Sequence, residues 1–201
     1  ELDAALKNEY AVTDPGVALE CVPSSADRAV SPERTAVLLR ALAVLPHGVE
    51  AMDTDFPGLV QTSLNMGVVR LDDAGLHVTF SIRSSIASRK EMLAQRVRAA
   101  AELAGGTVTE RGVYPGWQYR RDSQFRETLL AAYKDLTGKD GVVEATHGGL
   151  ECGLFMEKLP GLDAVSVGPD LFDVHSVRER LNVASTERTY ALVCELLRRS
   201  V

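Results

Sequence analysis

Residues 59–84 read LVQTSLNMGVVRLDDAGLHVTFSIRS, and this stretch decides the fold. Two strand-like runs, 59–71 and 76–84, flank Asp72-Asp73-Ala74-Gly75, which is hairpin-turn chemistry. On an alternating strand Ser81 and Arg83 point one way, and Phe80 and Ile82 point the other. Upstream, residues 16–23 alternate, with Val17, Leu19 and Cys21 on one face, and Pro23 closes the run as a strand. Next, Ser31 stands in capping position and Pro32 in the first helical turn. Leu38, Leu42 and Leu45 keep helical spacing until Pro46 and Gly48. Downstream of the hairpin, Ser88 and Glu91 have capping-box spacing ahead of a Leu93, Val97, Ala100, Ala104 stripe. Gly105-Gly106 stops that helix, and residues 107–114 read as a strand. The predicted order is β-α-β-β-α-β over roughly residues 16–114, a ferredoxin-like, split βαβ unit.

After Tyr114-Pro115-Gly116-Trp117 the pattern changes. Phe125, Leu129, Tyr133 and Leu136 predict a helix ended by Gly138. Residues 141–146 read as a short strand and 149–159 as a helix. Residues 162–169 read as a second strand, and 182–201 as a last helix with Ser185 as its cap. This succession suggests part of a parallel, helix-covered sheet. The fold class is therefore α/β (α+β), with a boundary near residue 115.

Composition narrows the function classes. The 201 residues carry a formal charge of -6, without the basic surplus of a nucleic-acid binder. No apolar run approaches the roughly 20 residues that span a bilayer. The start, ELDAALKNEY, is not a signal peptide. Cys21, Cys152 and Cys194 are far apart and form no CxxC pair, so a disulfide framework and multi-cysteine zinc are disfavoured, and a reducing cytoplasm is the default location. The chain opens on Glu1, and the expectation is a piece of something longer.

Candidate chemistry clusters in three places. In GPDLFDVHSVRER (168–180), a strand end leads into a loop presenting Asp173, His175, Glu179 and Arg180. Ligands of α/β folds gather beyond strand carboxyl ends. A histidine there can ligate zinc while a carboxylate orients its other nitrogen; otherwise it is a surface histidine. In EATHGGLECGLF (144–155), Gly148 and Gly149 form either a tight turn or a backbone cradle for a carboxylate or oxyanion. His147 and Glu151 lack the second histidine of a HExxH zinc helix. Cys152 has no obvious base beside it and reads as a packed helix residue. Finally, Arg83 on its strand can grip a carboxylate bidentately, or simply face solvent. Asn65 on the paired strand shares that face. His47 and His77 read as solvent residues.

Together, SLNMGVV, SIRSS, YPGW, HGGLECGLF and GPDLFDVHS occur in the order and spacing of a known family. The chain resembles the aminoacyl-histidine (Xaa-His) dipeptidases, the carnosine-cleaving branch of the di-zinc exopeptidases, over the C-terminal part of their architecture. The resemblance implies a catalytic α/β domain holding two zinc ions and interrupted by a lid. It makes residues 1–115 the C-terminal part of the lid and 116–201 the closing segment of the catalytic domain. By motif position, His175 matches a zinc-ligating histidine and Arg83 the lid arginine that grips the substrate carboxylate. Gly149 matches a glycine whose backbone contacts substrate; His147 and Glu151 are not metal ligands by this match. Val177 stands where the family usually has proline.

The family's HxDxVP-type segment, bridging aspartate, Glu-Glu pair and Gly-Gly-His-Ser-Gly stretch are not found in these residues. One zinc ligand falls short of the three or so that a catalytic zinc takes, so the chain alone is expected to be inactive. The implied substrate is a dipeptide; a homodimer is compatible, and neither nucleic acid nor membrane is expected. The alternative is a non-catalytic binding or dimerisation module built on the ferredoxin-like unit.

Overall fold

The structure, a computed structural model, describes residues 1–200. It divides into two compact units, residues 1–37 and 38–201. The first holds α1 (Leu2–Glu9) and the start of α2 (Pro32–Val44). Asp3 pairs with Lys7 at 2.8 Å and accepts the Leu19 N–H at 2.8 Å. The Leu19 amide, then Lys7, hold the Asp3 carboxyl below its ordinary value. Residues 16–23 are not a strand. Alternation supplies only the side-chain pattern, and a strand also needs a ladder partner. Here the Leu19 N–H goes to a carboxylate and the Val17 N–H to the Asp14 carbonyl.

The second unit is built on the predicted hairpin. β1 (Gly48–Met52), β2 (Val60–Asp72) and β3 (Gly75–Ser84) form an antiparallel sheet in that order. The turn falls at Asp72–Gly75, with Gly75 at φ 138°. β1 was not expected; it starts at Gly48, at φ 101°, after α2 has ended at Val44. Leu64, Phe80 and Ile82 point to one face and pack with Leu93 and Val97 of α3 (Ala87–Leu103). That helix carries the expected stripe, but its N-cap is Ile86, without a side-chain cap. Ser84 Oγ instead accepts the Ile86 N–H at 3.0 Å, which puts Ser88 inside the first turn.

Residues 107–114 are also not a strand. Gly112, at φ 60°, breaks the extension, and the segment is held by side chains. Lys90 donates to the Tyr114 carbonyl, and Arg98 pairs with Glu110. The βαββαβ order is thus observed as a three-stranded antiparallel sheet with its helices, without the two outer strands.

Beyond residue 115, α4 (Gln124–Thr137) is capped by Ser123, whose Oγ accepts the Arg126 N–H at 3.0 Å, and closed by Gly138 at φ 69°. α5 (Glu151–Lys158) follows, then a hairpin of β4 (Leu171–Phe172) and β5 (Arg180–Leu181). α6 (Val183–Arg199) is capped by Asn182, not Ser185. Ser185 is buried; its hydroxyl donates to the Asn182 carbonyl and accepts the Asp170 N–H. Leu129, Ala132, Leu192 and Leu196 form a second apolar cluster, with Val165 against it. Residues 141–146 and 162–169 make no strand ladder among the described residues. Their apolar pattern is that of buried strands, but strands of a parallel sheet form only beside neighbours that pair with them. The two clusters fall on either side of residue 115. Among the described residues no helix is long and apolar enough to cross a membrane.

Candidate functional site

The face of β2–β3 away from the core carries the first group. Ser63 pairs in register with Arg83, and Asn65 with Ser81. Strand alternation puts these four opposite Leu64, Phe80 and Ile82. Behind them, Thr62 and Ser84 share a buried hydroxyl bond of 2.9 Å. Arg83 is exposed and makes no ion pair or side-chain hydrogen bond among the described residues.

His147 comes to this face from across residue 115. Its Nε2 lies 2.7 Å from Ser63 Oγ, and its Nδ1 is buried. Burial pushes the imidazole below its ordinary value and the Arg83 guanidinium pushes it further, while the Val60 backbone pulls the other way. Burial and the neighbouring guanidinium thus both favour the neutral ring.

The Gly-Gly turn follows. The Gly148 N–H donates to Thr146 Oγ1 at 3.1 Å. Gly149 lies against Tyr114, where a methyl group would stand 2.6 Å from Cε1 and 2.7 Å from Cδ1. Gly153 is buried in α5, and a methyl there would meet the Pro115 and Gly116 carbonyls at 3.2 and 3.3 Å. Gly116 is pressed onto the Ser84 and Ser85 carbonyls, each 2.6 Å from where a methyl would sit. YPGW thus packs between HGGLECG and SIRSS. Burial pushes up the phenol of Tyr114, as do Glu151 and Cys152. The Cys152 thiol is likewise raised by burial, against its own backbone and with Glu151 adding. A nucleophilic cysteine needs the opposite shift.

Nearby, Arg121 makes a forked pair with Asp55 at 2.7 and 3.3 Å. Tyr119 meets Phe56 edge to face at 4.8 Å. These contacts and Ser63 were missed in the sequence. Ser63 carried a signal, standing two residues before Asn65 on the same strand face. The Arg121–Asp55 pair, 66 positions apart, carried none.

His175 lies elsewhere, on the loop between β4 and β5. Asp173 and His175 both adopt left-handed backbone, φ 52° and 65°. The His175 N–H donates to Glu179 at 3.1 Å, and Arg180 pairs with Asp173 at 3.0 Å. The imidazole is exposed, and the neighbouring carboxylates are engaged. Among the described residues no group of three or more His, Cys, Asp or Glu is placed to hold a metal ion. A catalytic zinc takes about three protein ligands, so these residues do not assemble such a centre. No hydrogen bond or ion pair joins His175 to Arg83, Ser63 or His147 among the described residues. The structure thus brings Arg83 together with His147, to which Gly149 is joined through the turn, and shows no bonded link from them to His175 among the described residues.

A chain with this mixed α/β fold and these motifs is similar to known dipeptidases. No protein-family model matches it. It is 34% identical over 194 residues to the cytosol non-specific dipeptidase of Escherichia coli (strain K12), covering 96% of this chain and 40% of that protein. An aminoacylhistidine dipeptidase structure from Vibrio alginolyticus aligns at TM-score 0.85 and 29% identity, over 98% of this chain and 40% of that one. Aminopeptidase PepT from Bacillus cereus, at 18% identity and TM-score 0.60 over 81% of this chain and 44% of that one, shares the fold alone. The resemblance to the aminoacyl-histidine dipeptidases holds. The chain spans about 40% of the length of the relatives it matches.

Proposed function

We propose that the chain is the C-terminal portion of a cytoplasmic, zinc-dependent aminoacyl-histidine dipeptidase that hydrolyses Xaa-His dipeptides. Residues 1–115 are the later part of its lid and 116–201 the last segment of its catalytic domain. The observation that carries this reading is the match to a dipeptidase over 194 residues at 34% identity. Two separate apolar clusters, one on each side of residue 115, support the division. Arg83 binds the substrate carboxylate, Gly149 offers its backbone in the same pocket, and His175 is one metal ligand. An exposed guanidinium with no carboxylate partner suits that task, because a substrate does not have to displace an internal ion pair. The remaining ligands and the general base lie outside these residues, so the chain is inactive by itself.

The test is Arg83→Ala in the complete enzyme. KM should rise about tenfold or more for dipeptides with a free C-terminal carboxylate, the loss of a charge-assisted pair. Peptide amides should be hydrolysed as by the parent. Equal losses on both substrate types would overturn the assignment.

A further inference from the structure

Two groups from opposite sides of residue 115 meet at one hydrogen bond, Ser63 Oγ to His147 Nε2 at 2.7 Å. Ser63 is directly opposite Arg83 in the β2–β3 register, so the ladder fixes one to the other. His147 stands two residues before Gly149, so the turn fixes that pair. The bond between Ser63 and His147 therefore sets where the strand position of Arg83 stands relative to the turn's backbone. The imidazole suits this place for an electrostatic reason. A carboxylate there would pair with Arg83 and neutralise it. An imidazole makes the link without bringing a negative charge to Arg83, and burial together with Arg83 favours its neutral form.

We propose that Ser63 and His147 are positioning residues for the peptide carboxylate, holding Arg83 on the sheet and the Gly148–Gly149 turn as two jaws on one carboxylate group. The inference rests on the roles of Arg83 and Gly149 given above. It adds that the sheet and the turn are set against each other by this bond, and that neither Ser63 nor His147 touches substrate.

The test uses the complete enzyme with paired substrates, a dipeptide and its C-terminal amide. Ser63→Ala removes one oxygen from a half-buried strand position, and His147→Ala removes the ring. Each should raise KM for the dipeptide roughly three- to tenfold, the worth of one hydrogen bond, with kcat and the amide little changed. Ser63→Thr and His147→Gln, which retain a hydroxyl and an Nε2, should restore KM. In an Arg83→Ala background Ser63→Ala should cost nothing further. Should Arg83→Ala raise KM selectively while Ser63→Ala and His147→Ala do not, the positioning role is overturned and the carboxylate reading stands. Should Arg83→Ala itself show no selectivity, the underlying reading fails. Equal losses on dipeptide and amide, without rescue by Ser63→Thr, would assign the pair to structure alone and overturn the proposal.

Discussion

Gly149 has no side chain for a steric reason, and the reason can be isolated. A methyl group at this position would stand 2.6 and 2.7 Å from two ring carbons of Tyr114, about an ångström inside the usual carbon–carbon separation of roughly 3.5–4.0 Å. Overpacking of this kind costs about 1–3 kcal/mol. Against it, Gly149 does not have a left-handed φ, so alanine fits the backbone and gains roughly 0.4–1 kcal/mol by restricting the unfolded chain. The net expectation for Gly149→Ala is a loss of about 1–2 kcal/mol, a fall in Tm of roughly 2–8 °C for a chain this size. In a Tyr114→Ala background the obstructing ring is gone. The same substitution should then stabilise by about 0.4–1 kcal/mol. Urea unfolding of the parent, both single variants and the double variant, followed by circular dichroism, measures the coupling. Its expected size is about 1–3 kcal/mol. If Gly149→Ala costs the same with and without the Tyr114 ring, the steric argument is wrong.

Gly116→Ala should cost about 3 kcal/mol or more in urea unfolding, at the upper end of overpacking, because the atoms it meets are the Ser84 and Ser85 carbonyls, which cannot swing aside as a side chain can. Asp163 accepts from the Ser123 hydroxyl at 2.7 Å and the Phe125 N–H at 3.0 Å. Burial alone would raise its carboxyl, but these donors, with Arg120 and Arg126, hold it below its ordinary value. A depressed carboxyl stabilises above its unfolded value and loses that contribution as pH falls through the folded one. Asp163→Asn should therefore be less stable at neutral pH and show a flatter decline below about pH 4 in pH-dependent denaturation. In the complete enzyme, His175→Ala should lower the zinc content measured by elemental analysis, and unchanged occupancy would remove His175 from the ligand set.

The legible part of the fold was the part with local causes. The hairpin from 59 to 84 followed from turn residues and alternation, and α3 and α4 from apolar spacing; Gly138 marked where α4 ends. Segments 16–23, 107–114, 141–146 and 162–169 carried strand patterns, yet none forms a ladder among the described residues. Periodicity reports which way side chains face, and a ladder depends on a partner that the local sequence does not name. The caps failed for a related reason. Ser88 and Ser185 have the right residue type, but Ser84 had already engaged the start of α3, and Asn182 took the cap of α6. Within the site, Arg83 was read correctly as facing away from Phe80 and Ile82. His147 was set aside as context for the glycines, since nothing in sequence links it to a serine 84 positions away.

The junction beside the site explains why its motifs are so poor in bulky side chains on one side and hold YPGW on the other. The two apolar clusters lie apart, one at Leu64, Leu93 and Val97 and one at Leu129, Ala132, Leu192 and Leu196. Neither cluster includes YPGW or HGGLECG. There the backbone comes close to the Ser84 and Ser85 carbonyls at Gly116 and to the Pro115 and Gly116 carbonyls at Gly153, and the Tyr114 ring lies against Gly149. Glycine at these places gives up hydrophobic burial for closeness, and closeness brings carbonyls, amides and the Ser63–His147 pair into reach. The Arg121–Asp55 fork and the Phe56–Tyr119 edge contact add polar and aromatic restraint without a core. Such a joint fixes geometry through short-range contacts that are steep in distance. A change of one methyl at Gly149 or of one oxygen at Ser63 should therefore be felt at Arg83, although neither atom belongs to a hydrophobic core.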